Sequence, residues 1–220
     1  MINSICNLWK TKLSIMVITL LATSSVYAFG LGDLGDALGG GGNKGSDLTG
    51  SQTELTGSLK SALINLGKSQ VLMAKAMGLD EQVILAEKHV KGLEGADFGA
   101  KDEVEKTIET AASVQDAIAK KSAEKEILSA ESKVVFVSSI PFYIKGGVGT
   151  AMTTKKAVDA GKSLASAGPM ALLKLGPLVT IVAELPGLLG KLGSSTKQII
   201  DFMTANDIPT DKMAAMTKDF

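Results

Sequence analysis

The sequence predicts an all-α fold, a mainly antiparallel helical bundle preceded by a flexible Gly-rich N-terminal segment. Two observations carry that prediction. Beyond Gly50, apolar residues recur at three- and four-residue steps along most of the chain, the spacing that lines one face of a helix. Much of the predicted buried side is Ala, which lets helices pack closely, as in a bundle. The one cluster of β-branched and aromatic residues, KVVFVSSIPFYI, has local strand propensity but no second strand to pair with.

The first 28 residues read as a cleaved secretory signal. Lys10 and Lys12 form a basic lead, Leu13 to Ala22 an apolar core too short for the roughly 20 residues of a span, and Val26-Tyr27-Ala28 a small-residue cleavage site. Cleavage after Ala28 places the mature protein in a bacterial periplasm or outside the cell, with envelope association as a further expectation. The signal takes with it Cys6 and Trp9, the chain's only Cys and only Trp. The mature chain therefore has no disulfide, no thiol chemistry and no cysteine metal site. A chain of 220 residues buries about 70% of its unfolded surface, enough for one domain without staples.

Lys+Arg and Asp+Glu are balanced at 23 each, and every base is Lys. Without the guanidinium fork, with few aromatics and no basic excess, the composition argues against nucleic-acid binding.

Residues 29–50 are dense in Gly and lack a sustained apolar period, so they predict a flexible lead. The paired LGD units there are too few to build a calcium-binding coil. The bundle domain is expected over 51–220. Its first helix carries Leu55, Leu59, Leu63, Leu66, Met73 and Met77, with an interruption at Gln70 and a stop at Gly78. A second begins with Asp80 as N-cap and presents Leu79, Val83, Ala86, Val90 and Leu93. The only His, His89, flanks that stripe and lacks a second ligand, so it reads as a boundary residue. Leu93 to Ala100 forms a turn-rich joint.

A long helix then starts with Asp102, Glu103 and Glu105, acidic where the dipole favours it. Val104, Ile108, Ala111, Ala112, Ile118 and Ala119 begin its buried face, and Ile127, Ala130, Val134 and Val137 continue it. The helix is expected to stop near Ile140, before Pro141. The next stretch, KGGVGTAMTT, resembles the deviant Walker A loop of partition-type ATPases, K-G-G-x-G-K-[ST], over Lys145 to Gly149. Thr150 stands where that loop needs its second Lys, and no βαβ frame follows. The stretch is read instead as a helix-to-helix joint, with the next helix starting near Thr150 and no nucleotide bound.

Residues 164–192 are the most unusual region. Gly168-Pro169, Gly176-Pro177 and Pro186-Gly187 divide it into short apolar pieces, and Lys174 and Glu184 weigh against a single membrane span. It is expected either to lie inside the bundle or to meet lipid or a partner. The residues for that contact are Leu172, Leu173, Leu175, Leu178 and Val179, followed by Ile181, Val182, Leu185, Leu188 and Leu189. Lys174 and Glu184 are the candidate buried charges, although the favoured expectation is that both point outward at helix ends. The tail adds Ile199, Ile200, Phe202 and Met203, then a turn at Asn206 to Pro209 and a short helix with Met213 and Met216.

No catalytic constellation, metal-ligand cluster or cofactor motif is apparent, so the sequence predicts a non-catalytic protein without a cofactor. The expected partner is a protein or a membrane surface, with self-association compatible with the helical faces. The alternative is a membrane-active or hydrophobic-ligand-binding protein using 164–192.

Overall fold

The computed structural model describes residues 44–95 and 98–219. The expected signal with its Ala28 cleavage site, the lead as far as residue 43, and two residues of the turn-rich joint lie outside them. Seven α-helices follow in order: α1 Lys44–Ala76, α2 Asp80–Gly95, α3 Lys101–Ala123, α4 Ala130–Leu164, α5 Pro169–Lys174, α6 Gly176–Ala205 and α7 Asp211–Met216. No strand occurs among the described residues, so the fold is all-α.

Residue pairings give the directions. The Cβ position of Gly146 on α4 faces Leu66 of α1, and that of Gly149 faces Ala62, so the two helices run antiparallel. Tyr143 meets Thr196 while Gly161 meets Val182, which makes α4 and α6 antiparallel too. Gly176 lies against Lys101 and Lys191 against Asp116, so α3 and α6 run parallel. An up-and-down chain order produces this: consecutive long helices alternate, and α3 and α6 become parallel neighbours. α2 packs back along α1, with ion pairs from Lys75 to Glu87 at 2.8 Å and Lys68 to Glu94 at 2.7 Å along the seam.

The α1 stripe is as the periodicity predicts: Leu55, Leu59, Leu63, Leu66, Met73 and Met77 are all buried. The helix ends where expected. Gly78 adopts φ +69, and the Leu79 N–H donates to the Ala74 carbonyl at 2.9 Å while the Gly78 N–H donates to Lys75, the paired bonds of a Schellman stop. On α2, Ala86, Val90 and Leu93 are buried and His89 is half-buried, as a boundary residue should be.

Several expectations are corrected. Helix begins at Lys44, before the Gly50 limit of the expected lead, and Leu48 is already buried. Gln70, the interruption of the apolar period, is a fully buried polar residue on the inward face of α1. Asp80 is the first helical residue of α2 rather than its cap. The long helix expected to run to Ile140 is two helices, broken at Glu124 to Ser129, where Lys125 takes φ 52 and Ser129 caps α4 by accepting from the Ser132 N–H. This break turns Ile127, Ala130, Val134 and Val137 to solvent, although they continued the apolar period of α3.

The largest correction concerns α4, which runs unbroken through Pro141 and through all of KGGVGTAMTT. Proline removes the N–H that would bond the Val137 carbonyl. Pro141 and Val137 both lie on the exposed face of α4, where water can satisfy that carbonyl. The glycines that looked like a joint serve packing. A Cβ on Gly146 would lie 2.6 Å from the Leu66 backbone nitrogen, so α1 and α4 can approach this closely only with glycine there.

Candidate functional site

The core holds a polar chain that links four helices. Gln70 Nε2 donates to the Ala111 carbonyl at 2.8 Å and to Gln115 Oε1 at 3.3 Å. Gln115 Nε2 in turn donates to Ser195 Oγ at 2.8 Å and to the Tyr143 hydroxyl at 3.2 Å. The Thr196 hydroxyl donates to the Leu192 carbonyl, so at Tyr143, 3.0 Å away, it is the acceptor. Every donor in the chain is used; Gln70 Oε1 alone has no partner. Burial raises the Tyr143 phenol, partly opposed by its bonds to Ser195, Thr196 and Gln115. Such a network fixes helix register (a mismatched neighbour would leave buried groups unpaired) and its neutral groups supply no activated nucleophile.

His89 has its Nε2 buried without a partner, and burial lowers its pKa to about 4. It is therefore neutral near pH 7 and packs as an apolar ring at the α1–α2 seam. Among the described residues no group of three His, Cys, Asp or Glu is placed to hold a metal ion.

Two surface features remain. A cleft of about 540 Å³ follows the α1–α4 seam, lined by Ser58, Ser61, Asn65, Lys145 and Met152, and bordered by the Lys156–Glu54 ion pair. It contains part of the KGGVGTAMTT stretch. The helical backbone there spends its N–H groups on the ladder, and the Thr150, Thr153 and Thr154 hydroxyls donate to the carbonyls four residues back. The free, convergent N–H groups of a phosphate cradle do not arise in that geometry.

The second feature is the corner between α4 and α6. Gly168, with ψ 162, ends the turn after α4, and Pro169 starts α5 at a position where its missing N–H costs nothing. At the next restart Leu175 is the cap, and Pro177 stands in the first turn of α6, where its missing N–H is again without cost. Leu164 before α5 and Leu175 after it are buried, while Ala167 and Ala171 rest against the core. The corner is thus pinned at both ends, yet none of the six residues of α5 is buried. Met170 is 72% exposed and Leu173 79%, with Leu172 and Val179 also on the surface. Close contact at Gly161, where a Cβ would lie 3.0 Å from Val182, seats α6 against the end of α4 just behind this corner.

The residues expected to meet lipid or a partner are thereby divided. Leu175, Leu178, Ile181, Leu185 and Leu188 are buried in the bundle, and Val182 and Leu189 are half-buried. Leu172, Leu173 and Val179 face outward. Lys174 and Glu184 are exposed, on the outer side of their helices as the favoured reading had them, and the alternative of buried charges is corrected. Met170, the second most exposed apolar side chain of the corner, carries no periodic signal in so short a helix and was not among the expected contacts.

The segment 164–192 contains no helix that qualifies as a membrane span by length and hydropathy; among the described residues α4 does, with mean hydropathy 1.3 and 44% of the qualifying window buried in the bundle. Phe136, Ile140 and Tyr143 give its inward side to the core, while Val134, Val137, Met152 and Val158 are exposed on its outer side. Compared with protein-family models, curated proteins and solved structures, the chain matches none.

Proposed function

We propose that this chain is an exported, non-catalytic interaction protein of the bacterial envelope that engages an apolar partner surface through the α5 corner. The observation that carries the reading is α5 itself, a helix anchored by buried Leu164 and Leu175 that places Met170 and Leu173 in solvent and buries none of its residues. Other large apolar side chains such as Ile84, Ile127, Val134 and Met152 are also exposed, but the corner gathers Met170, Leu172 and Leu173 on one short element. Contiguous exposed apolar residues mark an interaction surface. The apparent secretory signal over residues 1–28 supports a location beyond the cytoplasmic membrane. The non-catalytic part is supported by the chemistry of the four-helix polar network, whose members are neutral amides and hydroxyls.

Site-specific photo-crosslinking in producing cells tests this reading. A crosslinker replacing Leu173 is expected to form adducts, with protein or with lipid. One replacing Lys120, on the exposed polar side of α3, is expected to form none. Adducts absent at both positions, or a catalytic turnover abolished by a point substitution, would contradict it.

A further inference from the structure

We infer that the α5 corner is a foot that inserts into the interface of an anionic lipid bilayer, an assignment that rests on the interaction reading above and names its partner. Three properties of the corner point to lipid rather than to a protein groove. Charge is the first. Across residues 160–183 the only ionisable groups are Lys162 and Lys174, with no acid until Glu184. Lys174 closes α5 and makes no ion pair among the described residues; Lys162 is exposed and shares its charge with Asp159 at 2.7 Å. Lys174, beside an apolar tip with no acid between residues 160 and 183, complements a surface of lipid phosphates, which attracts Lys within a Debye length. Lys162 adds a second, partly compensated cation. Lysine stems can also lie along acyl chains while their ammonium groups reach the headgroups.

Length is the second. Six helical residues rise about 9 Å, far short of the roughly 30 Å of a span, so the corner can engage only the interface of a bilayer. Anchoring is the third. Because Leu164 and Leu175 already sit in the core, Met170 and Leu173 are displayed without unfolding the bundle. Insertion would therefore order no disordered segment and expose no core.

Co-sedimentation of the full chain with vesicles tests the assignment, comparing the wild-type chain with M170E/L173E and with K162Q/K174Q. Vesicles of phosphatidylglycerol mixed with phosphatidylcholine are set against pure phosphatidylcholine. Because the N-terminal segment is common to all three chains, differences between them report the corner alone. Wild type is expected to bind the anionic vesicles at least about tenfold more tightly than the neutral ones, with binding weakened by added salt. M170E/L173E should lose about tenfold or more, and K162Q/K174Q several-fold on anionic vesicles only. All four positions are exposed, so each variant should keep the helical circular dichroism of the parent.

Equal vesicle binding by wild type and M170E/L173E overturns the lipid assignment, as does wild-type binding that ignores lipid charge. If no chain binds vesicles while M170E/L173E abolishes self-association or a Leu173 crosslink to protein, the lipid partner is wrong and the interaction reading stands. If the Leu173 crosslinks are absent as well, both fall.

Discussion

Gly146 is the residue on which the packing of the two longest helices turns. Its missing Cβ lets α4 lie directly against the Leu66 backbone, where an added carbon would meet nitrogen at 2.6 Å and Cα at 2.8 Å. Backbone cannot rotate aside as a flexible side chain can. Gly146→Ala should therefore lower stability by about 1–2 kcal/mol, the overpacking cost outweighing the gain in helix propensity. Gly57→Ala on exposed α1, with nothing within 4 Å of its Cβ, should raise stability by up to about 1 kcal/mol. Chemical denaturation of both variants checks the contrast; two stabilised proteins would contradict the close approach. The glycines of KGGVGTAMTT were visible in the sequence, but glycine serves tight turns and close packing alike. What separates the two is a neighbour some 80 residues away, and local reading cannot supply it. Gln70 is similar: its break in the apolar period was legible, while its meaning required Gln115 and Tyr143 from other helices.

At the scale of elements, the strong periodic helices were legible and the boundaries were not. α1, α2 and the first part of α3 follow from their stripes because burial of one face is a local pattern with a strong energetic consequence. Pro141 was misleading. Proline usually ends a helix, yet here Val137 and Pro141 lie on the exposed face, where water can serve the freed carbonyl, and the burial of Phe136, Ile140 and Tyr143 on one side and Thr150 and Ala157 on the other holds one continuous element. It follows that Pro141 is a cost the bundle tolerates. Pro141→Ala should restore one ladder hydrogen bond and raise stability by about 1–3 kcal/mol, read from the shift in denaturation midpoint. A neutral or destabilising result would indicate that the chain needs a break there. The turn from Glu124 to Ser129 was hidden for the opposite reason. It lacks Gly and Pro, and it is held by a distant side chain: buried Asn206 accepts from the Leu128 N–H at 2.7 Å and donates to the Glu126 carbonyl at 3.1 Å. α5 was legible as a Gly/Pro-bounded piece, but six residues are too few for a period to tell which way they face.

Across the whole molecule, burial and exposure divide the apolar segment between two roles. Most of α6 belongs to the core with α3 and α4, and α5 projects from the end of that core. The all-α class needed only composition and period, since four long amphipathic helices have few ways to bury their faces other than against each other. Which part of 164–192 stays outside depended on where α4 ends, and that boundary moved once Pro141 was absorbed. The central claim is that the protein meets its partner through a preformed corner while the bundle stays intact. Hydrogen exchange of the full chain, free and with phosphatidylglycerol-containing vesicles, tests it most directly. The account predicts new protection confined to residues 165–176, with amides of α1, α3 and α4 unchanged. Protection that appears instead along the α1–α4 cleft, or loss of protection throughout the core, would contradict it.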